Sequence, residues 1–193
     1  MAARDPQIRK DPTTHQLFEP HTVALLSRSR QSLQIIVFSL ILGVVLFLSH
    51  TGWTLSGSDK PWTFLGPDTA WPMLILAGIA LPPALIIPRV MRNSRTSPQQ
   101  LAVAQRMTGD PLHDAAVLAA GRIQSATIVG CALLEGPAFA NTFGLLTSSD
   151  LIHLAVTVVL LLGIACWFPT GSRFQAAVER AVENAQLDAR FEK

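Results

Sequence analysis

Residues 123–146 read IQSATIVGCALLEGPAFANTFGLL. Whether this run crosses a bilayer decides the fold. A helix needs about 20 mostly apolar residues to cross the hydrocarbon layer, and the run is long enough. It is also the least hydrophobic of four such runs and carries a carboxylate, Glu135. The others are 33–49, LQIIVFSLILGVVLFLS; 71–88, WPMLILAGIALPPALIIP; and 151–168, LIHLAVTVVLLLGIACWF. The basic residues decide the matter, because they collect on the cytoplasmic side of a membrane protein. Arg4, Arg9, Lys10, Arg28 and Arg30 precede the first run, and only Lys60 separates the first from the second. Arg89, Arg92, Arg95, Arg106 and Arg122 lie between the second and third. None lies between the third and fourth, and Arg173, Arg180, Arg190 and Lys193 follow. With 123–146 as a span, fourteen of the fifteen basic residues share one side. As a loop or re-entrant segment, it would put the last cluster on the opposite side.

The sequence therefore predicts an all-α polytopic membrane protein. It has four transmembrane helices, both termini in the cytoplasm and short cytoplasmic helices. The layout is a cytoplasmic segment at 1–32, a transmembrane domain at 33–168 and an amphipathic cytoplasmic tail at 169–193. Composition agrees, since 49% of residues are hydrophobic and only 15% charged, against about 25% charged in soluble domains. Trp53, Trp62 and Trp71 fit the outer interface, with Trp167 and Arg122 as inner anchors. The first run starts too late for an ordinary cleaved signal and reads as a signal anchor. The segment 51–70 reads as a connector. The first 20 residues, with three prolines and mixed charge, are expected to be poorly ordered.

Ser97-Pro98 and Asp110-Pro111 are helix-start signals. The first predicts a short helix to Met107. The second predicts a helix leading into the third span, with a joint at Gly121. In the tail, Phe174, Ala177, Val178, Ala181, Val182 and Ala185 make one apolar face, with Arg173, Glu179, Arg180 and Glu183 opposite. That face can pack on the inner loop, lie on the membrane or bind a partner. Cys131 and Cys166 sit in different spans at different depths, which argues against a disulfide and for small apolar core residues.

Glu135 is the residue most in need of explanation. A charge at mid-span costs about 2.5–3.5 kcal/mol. Gly136 and Pro137 follow it, and a proline cannot donate to the carbonyl of Leu133, so a kink is expected there and at Pro82-Pro83. At 100° per residue, Gln124, Thr127, Cys131, Glu135, Ala138 and Thr142 share the side expected to face the bundle. Val129, Ala132, Leu133, Phe139, Ala140 and Phe143 share the side expected to face lipid. Glu135 with Cys131, Thr127 and Thr142 forms the candidate ion-binding or structural polar site. Arg122 is thirteen residues away (135 − 122), about 20 Å along a helix, too far to pair. His50 and His153 lie near the outer face, too high for Glu135. Ser39, or a carbonyl freed by Pro82-Pro83, is the expected partner. A lone membrane carboxylate is either a functional site or a protonated group that fixes packing.

The stretch CALLEGPAFANTFGLL supports two resemblances. Its Ala-Leu-Leu-Glu core, followed by a small residue, resembles the ion-binding helix of ATP synthase proteolipid (c-type) subunits. That implies Glu135 as a proton- or sodium-carrying carboxylate. The chain departs from those proteins in three ways. Gly43 is the only glycine of the first span, the carboxylate lies in the third of four spans, and Pro137 follows it closely. The stretch from Ala132 onward also resembles uncharacterised bacterial small multi-pass membrane proteins with an "ALLEG" helix. Ala132 to Phe139, the turn from Thr147 to Asp150, and the exit Phe168-Pro169-Thr170 fit that layout. The resemblance implies an inner-membrane location and no particular activity.

A net charge of +2 gives no reason to expect nucleic acid. No Ser-His-Asp set, metal-ligand spacing or phosphate loop is present, so neither an enzyme nor a cofactor is expected. His113, Asp114 and Asp110 read as a solvated helix start. The two hairpins share no repeat, which argues against an inverted-repeat transporter. Two functional readings remain. One is a non-enzymatic subunit or partner in a membrane complex, or a homo-oligomer, suggested by the short loops and exposed tail. The other is proton or cation translocation through Glu135.

Overall fold

The computed structural model describes residues 20–93 and 111–191, and the described residues are all-helical. Helix α1 spans Pro20–Ser56, α2 Trp71–Asn93, α3 Pro111–Ser148, α4 Leu151–Cys166 and α5 Gly171–Phe191. Two of them begin on a proline, which has no N–H to lose at a first helical position. The helix expected around Ser97-Pro98 and the expected disorder of the first 20 residues lie outside the described residues.

At 1.5 Å per residue, the 37 residues of α1 and the 38 of α3 reach about 55 Å. Both overrun a hydrocarbon layer of about 30 Å. The first span thus sits within a longer helix that continues through Arg28-Ser29-Arg30, where nothing breaks the pattern. The joint expected at Gly121 is absent, and α3 also runs without interruption through Gly136 and Pro137. No side chain or helix packs within 4 Å of Gly121's Cβ position, so nothing there forces a break.

Helices α1, α2 and α3 are each long and apolar enough to cross a membrane. The fourth candidate is α4, whose 16 residues fall short alone. It joins α5 through a 58° bend, where Pro169 follows the α4 cap at Trp167. The Gln34 amide donates to the Pro169 carbonyl at 3.0 Å and ties the bend to α1.

Helix α3 is central and packs against the other four. Its pairings give the directions. Thr22 meets His113, Ser29 meets Gln124, and Gly43 meets Phe139, so α1 and α3 run parallel. Met73 meets Asn141 and Pro88 meets Gly130, so α2 is antiparallel to α3. Helix α4 is antiparallel too, through His153 with Asn141, Gly163 with Leu134, and Trp167 with Gly130. A Cβ on Gly130 would lie 3.0 Å from Pro88 and 3.2 Å from Trp167, so glycine lets three elements meet there.

The core holds Leu33, Val37, Val44, Ala77, Ala84, Cys131, Leu134, Ala138, Leu160 and Ile164. Outside it stands a wide apolar belt, with Ile79 67% exposed, Leu162 61%, Ile35 60% and Phe38 59%. Water would not tolerate such an area on a monomer, whereas acyl chains would cover it. The apolar helices thus suggest a membrane-spanning protein.

The apolar face of the tail helix packs on the chain itself. Phe174, Val178 and Val182 are buried against Leu26 of α1 and Ala116, Ala119 and Ala120 of α3. Ala177 and Ala181 are half-buried, and the Ala185 side chain lies outside the described ones. The N-terminal parts of α1 and α3 cover the apolar face, because both helices extend far enough to meet it.

Candidate functional site

Four of the six residues expected to face the bundle, Thr127, Cys131, Ala138 and Thr142, are buried, and Ala132 and Phe143 of the opposite side are exposed. Thr127, Cys131, Leu134, Ala138, Asn141, Thr142 and Leu145 form the buried stripe. Glu135 lies at its edge and is half-buried rather than turned into the bundle. Leu133 and Phe139, expected toward lipid, pack against the core. Phe139 stacks at a tilt on Phe47, with ring centroids 5.6 Å apart. Helix α1, which packs on the flank at Gln124 and Phe139, accounts for Phe139.

The four residues of the predicted polar site do not converge. Thr127 donates to the Ile123 carbonyl at 2.8 Å and Thr142 to the Ala138 carbonyl at 2.9 Å. Their hydroxyl protons are committed to their own helix. Thr127 is eight residues below Glu135 and Thr142 seven above, about 12 Å and 10 Å along the axis. Cys131, one turn below, is fully buried. Both cysteines are free.

Nor does Glu135 meet its expected partners. The parallel pairing of α1 and α3 brings Ser39 to its level, but Ser39 is exposed and no hydrogen bond joins them. Pro82-Pro83 belong to α2, which packs on the other flank of α3. Among the described residues, Glu135 makes no hydrogen bond or ion pair. Arg122 is half-buried near the start of α3, and Trp71, 52% exposed, opens α2. Trp167 is half-buried beneath Arg92, whose guanidinium carbon lies 5.1 Å from its ring.

The concentrated polar geometry lies at the end where α3 turns into α4. Ser149 adopts the left-handed conformation (φ 58°) and its N–H bonds to the Leu145 carbonyl at 2.9 Å, closing α3. The first N–H groups of a helix lack intrahelical partners. For α4 the loop supplies them. Leu151 N–H donates to the Thr63 carbonyl at 2.8 Å and Ile152 N–H to the Phe64 carbonyl at 3.2 Å. This cap frees the side chain of Asp150, which makes no cap bond to α4. Asp150 is 1% exposed. Its Oδ1 accepts from the Thr63 hydroxyl and from Gly66 N–H (3.1 Å), and its Oδ2 from the Thr69 hydroxyl (2.6 Å). The Thr63 hydrogen bond, then that of Thr69, hold its carboxyl below the usual carboxylate range against the opposing effect of burial.

One turn into α4, His153 is fully buried. Asn141 fixes its tautomer. The Asn141 amide donates to the Met73 carbonyl at 2.9 Å and the Pro137 carbonyl at 3.0 Å, which leaves its oxygen as acceptor. His153 Nδ1, 3.0 Å from that oxygen, must carry the proton. Nε2 is then a bare acceptor, buried without a partner among the described residues. The ring lies in a notch made by Gly144, where a Cβ would stand 2.8 Å from Nδ1.

Sequence reasoning missed this constellation. The Ser-Ser-Asp triplet before an apolar run was a readable helix-start signal. Its partners Thr63 and Thr69 carried no signal, being ordinary threonines more than 80 residues away. No protein-family model matches the chain, and no curated protein or solved structure is similar to it at a significant level.

Proposed function

We propose that this chain is a non-enzymatic integral membrane protein that acts as a subunit or partner in a membrane complex. Its setting is the bacterial inner membrane, with four crossings, both termini in the cytoplasm and kinship with the small multi-pass proteins whose "ALLEG" helix it resembles. The single observation that carries the assembly reading is Glu135. It lies at mid-span, half-buried, with no hydrogen bond or ion pair among the described residues. Lipid tails offer a carboxyl nothing, and intramembrane ionisable groups otherwise face a partner or a water-filled cavity. An external helix that supplies the missing polar contact resolves the cost. Basic-residue placement supports the orientation.

The test is the protein mass in mild detergent, by native mass spectrometry after removal of the micelle. The reading expects an assembly heavier than the 20.9 kDa chain. A monodisperse monomer in detergent and in nanodiscs would overturn it. Proton or cation translocation is the second reading, and Glu135 is again its support. It expects a flux in proteoliposomes that Glu135→Gln abolishes, and an unchanged flux removes it.

A further inference from the structure

We propose that the bend between α4 and α5 binds the phosphate of an anionic phospholipid headgroup, held by Arg30 of α1 and Arg92 of α2. The inference does not depend on the assembly reading. Arg92 lies over the Trp167 ring, at the end of α4. Arg30 lies against Gly171, the first residue of α5, where a Cβ would stand 2.5 Å from its Nη1. Helix α3 sets the two at one level. Ser29 meets Gln124, so Arg30 is level with Ser125. Pro88 meets Gly130, so Arg92, one turn further along the antiparallel α2, is level with Ala126.

Nothing in the described chain neutralises this pair. The Arg30 Nε is buried with no hydrogen-bond partner, and neither arginine makes an ion pair among the described residues. Helices α1, α2 and α4 carry no carboxylate. Asp114 lies ten residues before Gln124 (124 − 114), about 15 Å along α3. Glu179 lies eight past Gly171 (179 − 171), about 12 Å along α5. The start of α5 adds to the excess. Phe174 N–H bonds to the Thr170 carbonyl and closes the first turn, while the N–H groups of Gly171, Ser172 and Arg173 meet no acceptor among the described residues. These groups are the positive end of the helix dipole, where a cation is unfavourable and an anion is favoured. Arg30 is held there all the same, and an anion between the two offsets both.

Two properties select a lipid as the source of that anion. The first is position. The apolar belt begins within two turns of both arginines, at Ile35 (60% exposed) on α1 and Ile86 (57%) on α2. A phosphate at the bend therefore has a surface beside it for acyl chains. The second is charge. A zwitterionic headgroup brings an ammonium for which the bend offers no carboxylate. A headgroup of net negative charge pairs with the guanidinium groups and leaves no cation over.

The test is native mass spectrometry of the full chain in detergent, with phosphatidylglycerol or phosphatidylethanolamine added. Wild type should retain phosphatidylglycerol at least fivefold more than phosphatidylethanolamine, and equal retention overturns the proposal. Arg30→Gln and Arg92→Gln should each lower phosphatidylglycerol retention at least fivefold. Arg180→Gln, at an exposed position further along α5, should leave it unchanged. No loss in the first two variants, or the same loss in all three, overturns the site. Inorganic phosphate at millimolar concentration and constant ionic strength should not displace the lipid. Displacement assigns the site to free phosphate and overturns the lipid occupant. Gly171→Ala keeps every charge and suits a first helical turn, so it folds whatever the arginine variants do. Its methyl displaces the Arg30 guanidinium, and retention should fall at least threefold. Unchanged retention there overturns the part given to Arg30.

Discussion

Asp150 and Glu135 are two carboxylates on one short stretch of chain, and the fold treats them oppositely. Asp150 is sealed in and surrounded by donors from the loop between α1 and α2. Glu135 stands at the edge of α3 and receives none from the described residues. A carboxylate that the chain itself satisfies holds the chain together. A carboxylate that its own chain leaves without donors has no such part in holding the fold. Burial alone does not separate the two roles, but the supply of donors does.

Breaking Asp150 should have the largest effect. Asp150→Ala strands the Thr63 hydroxyl and the Gly66 N–H and leaves the Thr69 hydroxyl only the Gly66 carbonyl, at a cost of about 3 kcal/mol, readable as a lower midpoint in detergent unfolding. If Glu135→Ala costs as much, the comparison fails. Next comes Gly144→Ala, whose methyl would collide with the buried His153 ring. About 2 kcal/mol is expected, and His153→Ala in the same chain should recover much of it, giving a measurable coupling between the two sites. Acid should sharpen the contrast further. The folded state depresses the Asp150 pKa, so its contribution is fully present above the unfolded value of about 3.9. It is lost as pH falls through the lower folded value. Unfolding midpoints of wild type should fall below about pH 4, and those of Asp150→Asn should fall less over that range. Glu135→Gln should do least to the single chain, within about 0.5 kcal/mol. A larger loss would give Glu135 a role inside its own bundle.

Much of the helical framework was legible because hydropathy is local. Residues 33–49 and 71–88 fall inside α1 and α2, and Pro111 marks the start of α3. Phe174, Val178 and Val182 announce a packed helical face. The overrun of α1 to Pro20 was not legible, since Arg28-Ser29-Arg30 reads as solvent-facing whether or not it is helical. The burial of Leu133 and Phe139 was hidden for a different reason. Glycine, alanine and threonine populate most faces of α3, so side-chain polarity separates them poorly, and the flanks its neighbours cover decide which edges are buried. The Asp150 constellation depends on contacts between residues far apart in sequence, which no local pattern encodes.

The cap that the Thr63 and Phe64 carbonyls place on α4 also implies an order of events. The chain emerges from the ribosome from its N-terminus, so the α1–α2 hairpin and its loop exist before α4 does. The acceptors for α4's bare N–H groups and the donors for Asp150 are already in the chain when the second hairpin arrives. The first hairpin thus presents to the second both the flanks on which α3 packs and a loop that is already shaped to receive α4.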